Sequence, residues 1–319
     1  MPKLNVQQNN ANIIKALRNA LAIGQIKGPI ASDGNDNFTS TGSNPNLLDN
    51  AYFVGGGSQL GDGVFPINQR GQASYSWSGG TTFDRWICDY GVTATLQSGG
   101  VRVQISALYS GLSQAIPAYK IEDGETYTFS IIVDGTLHSA TFTANDDGNW
   151  YNILFGSDWY VPYQFTNGNW YFKALNAMNV DAFDHLVSAV KLEKGTVSTL
   201  ANDPPPDFGE ELRKCQRYLF IRDYVQTDLI GHGLSVSATF GIINVTLPVS
   251  MRSGGSPTGT FSASPLVYGG GTGEQPSFAL NTVVGNTAKF VASMTAGIAN
   301  TAIVAYAGTN IRLVISNEL

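Results

Sequence analysis

Residues 190–220 read VKLEKGTVSTLANDPPPDFGEELRKCQRYLF. The run from Val187 to Leu192 that leads into this stretch alternates apolar and polar residues, the two-residue period of a strand with one buried face. Pro204, Pro205 and Pro206 interrupt it, since consecutive prolines give no amide donors to a sheet and favour an extended spacer. From Tyr218 the chain becomes apolar and aromatic again. The stretch therefore reads as a seam between two all-β modules. It divides the chain into an N-terminal helix and polar linker (1–45), a first module (46–202), a Pro-rich link (203–207) and a second module (208–319). Few contacts are expected to cross the link.

Alternation continues on both sides of the seam. In the first module Val101, Val103, Ile105 and Ala107 share one face against Arg102, Gln104 and Ser106, and Tyr127, Phe129, Ile131 and Val133 repeat the pattern. A DG pair, Asp134-Gly135, then predicts a hairpin into residues 136–144. In the second module the sets Leu234 to Phe240 and Ile243 to Val249 predict two strands in a hairpin, and further strands are expected over 288–294, 301–307 and 311–315. Many short strands separated by glycine-containing turns specify an all-β chain, with two β-sandwich, jelly-roll-like modules. A short helix is expected over residues 9–24, NNANIIKALRNALAIG, with Ile13, Leu17 and Leu21 on one face. At about four turns it is marginal alone in water and needs a partner, either the first module or further copies of the chain. The polar stretch 32–45 reads as a flexible connection.

The chain has 319 residues, of which 43% are hydrophobic and only 13% charged, against about 25% charged in ordinary soluble chains. The net charge of -6 supplies no field that would gather nucleic acid. No run of apolar residues is long enough to span a bilayer as a helix, and the segment after Lys3 is too polar for a secretory signal, so synthesis in a cytoplasm without membrane insertion is expected. Cys88 and Cys215 fall in different modules and are expected as buried free thiols. His138, His185 and His232 are isolated in sequence, and Asp33, Asn35 and Asn37 lack the glycine and closing glutamate of a calcium loop. No metal or cofactor is expected.

Aromatic residues carry the functional reading, because a sugar ring offers an apolar C–H face to Trp or Tyr while its hydroxyls seek polar side chains. Trp86 and Trp170 sit in apolar or alternating contexts and are assigned to the core. Trp77, in SYSWSGG, and Trp159, in GSDWYVPY, have turn-like surroundings. Together with Tyr75, Tyr160 and Tyr163 they are the candidate ligand platforms, with Trp77 the preferred anchor. Arg70 and Arg85 are candidates either to bond a glycan or to tie loops to the sandwich. Asp146, Asp147, Asp158, Asp181 and Asp184 show no spacing that singles out a catalytic pair, and no nucleophile elbow, zinc-protease or phosphate-loop motif occurs. The chain is therefore expected not to be an enzyme.

Five landmarks in order, NLLDNAYF (46–53), FPINQRG (65–71), FDRW (83–86), GETYTFSIIV (124–133) and VKLEKG (190–195), followed by the Pro-rich link and CQRYLF (215–220), resemble bacteriophage and prophage tail-fibre proteins with a carbohydrate-binding-like jelly roll. The resemblance implies a receptor-binding protein of the virion tail, made in the bacterial host cytoplasm, that attaches to a bacterial cell-surface polysaccharide. It also implies a homotrimer with other phage tail or virion proteins as neighbours. Modules of this kind often hold a structural calcium where first and last strands meet, which would bring Asn46 or Asp49 near Glu193; with one clear carboxylate there, a salt bridge or backbone contact for Glu193 is expected instead. The alternatives are a purely structural virion protein and a polysaccharide-degrading enzyme.

Overall fold

The computed structural model describes residues 30–32, 38–40, 44–54, 65–77, 82–107, 110–155, 159–174, 176–177, 183–252, 256–269, 272–295 and 301–317. The helix expected over 9–24 lies outside them. Part of the polar stretch before the first module is ordered as a strand pair, Ile30–Ser32 against Phe38–Ser40, so it is not wholly a flexible connection.

The fold is all-β, built from several antiparallel sheets with a short α-helix. One six-stranded sheet runs Ser74–Ser76, Val92–Gln97, Gly100–Ile105, Phe183–Lys194, Thr126–Val133 and Thr136–Thr143 in spatial order. The other runs Tyr151–Phe155, Trp159–Thr166, Asn169–Ala174, Leu112–Pro117 and Ile87–Cys88, with Asn176–Ala177 paired to the second of these. The alternating sets do what their period requires. Val101, Val103, Phe129, Ile131 and Leu192 from one sheet and Leu112, Val161, Trp170 and Phe172 from the other are buried in a single hydrophobic core. The DG hairpin forms as expected, pairing Val133 with Thr136. Both turn residues are left-handed, Asp134 at φ 49° and Gly135 at φ 78°, as a tight hairpin turn matched to strand twist demands.

Beyond the seam, Leu219–Tyr224, Ile311–Ser316 and Thr258–Phe261 form a three-stranded sheet. A seven-stranded sheet runs Thr272–Glu274, Leu266–Gly269, Thr301–Tyr306, Leu229–Ser237, Phe240–Thr246, Thr287–Ser293 and Ser277–Val284. The two share a second core containing Phe220, Tyr224, Ile243, Phe290, Ile303 and Leu313. The expected hairpin is present with Leu234 opposite Ile242, but its turn comes at 238–239, so Phe240 opens the second strand instead of closing the first and the second strand ends at Thr246.

The seam itself differs from the expectation. Helix α1, Phe208–Gln216, begins immediately after the prolines. Asp207 caps it, its carboxylate accepting the Glu210 amide at 2.8 Å. Acidic Glu210 and Glu211 in the first turn and basic Arg213 and Lys214 in the last suit the helix dipole. The helix turns Cys215 and the partly buried Phe208 and Leu212 onto Phe65, Ile67 and Tyr52 of the first module, forming a small third core.

Several polar contacts cross the seam, where few were expected. Glu211 accepts the Asn50 amide at 2.9 Å. The Gln69 side chain donates to the Leu219 carbonyl at 2.8 Å and accepts the Ile221 amide at 3.3 Å, imitating a strand on the edge of Leu219–Tyr224. The buried Arg85 guanidinium lies 3.4 Å from the centroid of the Tyr218 ring, donates to the Ala115 carbonyl and pairs with Asp49 at 3.3 Å. Asn50 and Arg85 both adopt left-handed backbone, at φ 52° and 73°. That conformation is costly for arginine and persists where surrounding contacts hold it. The prolines, too, are anchored from one side, because the wholly buried Lys191 ammonium holds Asp203 and the Thr199 hydroxyl at 2.7 Å. Glu193 accepts the Thr199 amide and hydroxyl at 2.7 and 2.6 Å and lies 3.6 Å from Lys191. This is the protein contact expected for it. Asp49 instead serves Arg85 and Lys120.

Cys88 and Cys215 are free and buried. Burial pushes the Cys88 thiol up to about 12 and the Cys215 thiol well above its ordinary value, so neither forms the reactive thiolate at neutral pH. Titration of the native chain with a thiol reagent at neutral pH is expected to label neither cysteine within the time that labels both in denaturant. Fast native labelling of Cys215 would mean that α1 leaves the first module.

Candidate functional site

The strand Ser74–Ser76 alternates exposed, buried, exposed. Tyr75 is therefore turned into the core, its hydroxyl donating to the Asn68 side chain, and burial pushes its phenol to about 12. Trp77 leaves the strand end and is 53% exposed. In the other sheet, the strand Trp159–Thr166 keeps all three of its candidates covered. Tyr163 is buried on the core side with its hydroxyl on the Thr143 carbonyl at 2.9 Å, and Tyr160 is buried as well. Trp159 is half-buried, stacked on Phe155 at 4.4 Å and 7° with His138 edge-on at 5.1 Å, and it closes one end of the core. Arg70 donates to the Thr82 carbonyl at 3.0 Å and sits 4.0 Å from the buried Asp84. Of the seven candidates, with Arg85 already placed in the seam, Trp77 is an exposed platform. Tyr75, Tyr160, Tyr163 and Trp159 are packing residues, and Arg70 ties a loop. Trp86 and Trp170 are core, as expected.

Trp77 does not stand alone. Tyr90, 66% exposed, meets it edge-on at 5.3 Å and 79°. Beside Tyr90, Asp89 accepts the Gly111 amide and the Ser113 hydroxyl at 3.3 and 3.2 Å and pairs with Lys173 at 3.0 Å. Strand register places Lys173 opposite Ser113, on the face away from buried Phe172 and Leu112, so the ammonium reaches outward. It lies 5.1 Å from the centroid of the Trp150 ring, and Trp150 is 50% exposed. The Trp77–Tyr90 pair thus adjoins in sequence, at Asp89, an ion pair with Lys173 that leads to Trp150. Such a strip can take the C–H faces of two sugar residues on its rings and their hydroxyls on the carboxylate and ammonium. The lysine also fixes the Trp150 ring by a cation–π contact, which contributes about 0.5–1 kcal/mol at an exposed site.

Sequence reasoning missed four members of this strip. Trp150, in NDDGNW, has the same turn-like surroundings that singled out Trp77, so its signal was present. Lys173 and Asp89 join only through the pairing of residues 112–117 with 169–174, which no local pattern reveals.

Two other places bear on chemistry. A cleft of about 510 Å³ opens at the seam between Asn46, Tyr52, Leu200, Pro204 and Lys214, but its carboxylates Asp203 and Glu211 are engaged by Lys191 and Lys214. Of the scattered carboxylates, Asp184 is gripped by Arg102 at 2.6 and 2.7 Å, and Asp147 accepts from Tyr151 and Asn149. Asp158 and Asp181 lie outside the described residues. No helix among the described residues is long and apolar enough to cross a membrane. No protein-family model, curated protein or solved structure matches the chain.

Proposed function

We propose that this chain is a non-catalytic attachment protein of the phage tail-fibre kind, with two jelly-roll-like β-sandwich modules, and that it binds a bacterial surface polysaccharide through the strip from Trp77 to Trp150. On this reading it is a virion component made in the host cytoplasm, works as a homotrimer beside other tail proteins, and gains avidity from several weak sites held at high effective concentration. The observation that carries the binding role is the pairing of two exposed aromatic platforms across the Asp89–Lys173 ion pair. Exposed rings of this size in a chain with so few charges are spent on partners more readily than on solvent.

Trp77→Ala is expected to weaken polysaccharide binding by about 1–3 kcal/mol and to leave the thermal midpoint nearly unchanged. Trp150→Ala should act in the same direction. Isothermal calorimetry on a polysaccharide that the parent chain binds, with melting curves of each variant, checks this. Undiminished binding by both folded variants would remove the strip from the account.

A purely structural role has one observation in its favour. The landmarks quoted from the sequence contribute Asn50, Gln69, Arg85 and Tyr218 to the contacts that cross the seam, so some of the motifs behind the resemblance join the two modules. Under that reading the strip variants alter neither host binding nor stability.

A further inference from the structure

We infer that Lys191 and Asp203 react within the folded chain to form an amide bond between their side chains, a covalent staple that fastens the start of the Pro-rich link to the last strand of the first module. The amine, the carboxyl and the proton acceptor that such a bond needs meet at one buried place. Register puts Lys191 opposite Ser130 and Glu193 opposite Thr128, on the face of the sheet turned away from the core residues Val190, Leu192, Phe129 and Ile131. The chain after the strand folds back over that face. Thr128 holds it there by donating to the Gly195 carbonyl at 2.7 Å, and Ser130 by its bond to Ser198 at 2.8 Å. The Lys191 and Glu193 side chains are wholly buried, whereas that of Asp203 is 20% exposed and lines the cleft at the seam. The cover keeps bulk water off the amine, and the cleft gives a small product a way out.

The geometry is that of a reacting pair. The Lys191 nitrogen lies 2.7 Å from both Asp203 oxygens. Equal distances of that length put it no more than about 3 Å from the carboxyl carbon, a near-attack separation. The Thr199 hydroxyl accepts from Lys191 at 2.7 Å and donates to Glu193 at 2.6 Å. A proton therefore leaves the ammonium through that hydroxyl for the Glu193 carboxylate, and the freed lone pair attacks the Asp203 carbon. As the carbon–oxygen bond breaks, Glu193 returns its proton and the nitrogen gives up a second, so one Asp203 oxygen departs as water. The third proton stays on the amide nitrogen. Nothing is oxidised or reduced, and no co-reactant is consumed. The ion pair is the reactant of this step: a neutral amide replaces a buried ammonium and carboxylate whose desolvation is costly, and the fold has already brought the two groups together. Asp203 also precedes Pro204, which has no amide N–H to close a cyclic imide on the same carboxyl.

This inference does not depend on the glycan strip, and the parent chain tests it without any variant. Denatured and digested with trypsin, the full chain is expected to resist cleavage after Lys191 and to give one branched peptide, 174–194 joined to 195–213, lighter by one water than the two together. Lys191→Arg, which keeps the charge but has no amine to attack, and Asp203→Ala are expected to release 195–213 at its sequence mass. Glu193→Gln, folded by circular dichroism, is expected to lower the linked fraction measured at a fixed time after synthesis at least about tenfold, as loss of a positioned proton acceptor does, and Glu193→Asp to restore part of it. Separate 174–191 and 195–213 peptides from the folded parent overturn the inference. So does a loss of water confined to 195–213, which marks a cyclic imide elsewhere in that peptide, and undiminished linkage in folded Glu193→Gln removes the role given to Glu193.

Discussion

Replacing Lys191 with methionine is expected to lower the unfolding free energy by about 3–5 kcal/mol, the cost of removing one partner from a buried charge pair. The ammonium is wholly enclosed between the last strand of the first module and residues 199–203, where it holds Asp203 at 2.7 Å and faces Glu193 at 3.6 Å. Without it Glu193 remains in the interior, held by the amide and hydroxyl of Thr199, and Asp203 loses its bonds to the ammonium. Urea unfolding of the full chain checks the magnitude. Adding Glu193→Gln to Lys191→Met should recover part of the loss, since the stranded charge is then gone. A loss below about 1 kcal/mol, the scale of an exposed ion pair, would show that the network is hydrated and does not fasten the prolines to the module.

A cavity in place of Trp86 is expected to be equally damaging. Its ring is buried among Phe53 and Phe83, edge-on to the first at 5.6 Å and 74°, and its Nε1 donates to the Asn50 carbonyl at 2.8 Å. Trp86→Ala removes the packing and the hydrogen bond together and should cost about 3–5 kcal/mol. Asn50 also donates its amide to Glu211 of α1, so the damage should spread to the seam and expose Cys215 to thiol reagents. Trp77→Ala, by contrast, should stay within about 0.5 kcal/mol of the parent, as surface substitutions do. Parallel melting curves separate the two tryptophans, and equal destabilisation would contradict the division into core and platform.

The strands were legible because a two-residue period is a local signal. Val101 to Ile105 and Phe129 to Val133 point where alternation sends them, and the DG pair forms its turn. The same rule, applied strictly, would have removed two of the candidate platforms. Tyr75 sits between outward Ser74 and Ser76, and Tyr163 shares a face with Val161 and Phe165, so both belong inside. Turn-like neighbours misled at Trp159, whose position opposite Phe155 in the paired strands delivers it to the end of the core. Helix α1 was also legible, in Asp207 followed by Glu210 and a basic last turn, but the prolines drew the reading toward a bare spacer. What sequence could not reveal is the seam. Asn50 and Glu211 are 161 residues apart, Gln69 and Leu219 are 150 apart, and such pairs are set by how sheets pack, not by any period in the chain.

The most direct test of the proposed role is an array of bacterial surface polysaccharides probed with the full chain and with a Trp77→Ala, Trp150→Ala double variant that keeps the parent melting midpoint. The expected result is retention of the parent by at least one polysaccharide and loss of that signal in the double variant. Equal retention of both proteins, or a folded, oligomeric parent that binds no polysaccharide from any strain, would contradict the account and leave the structural role in its place.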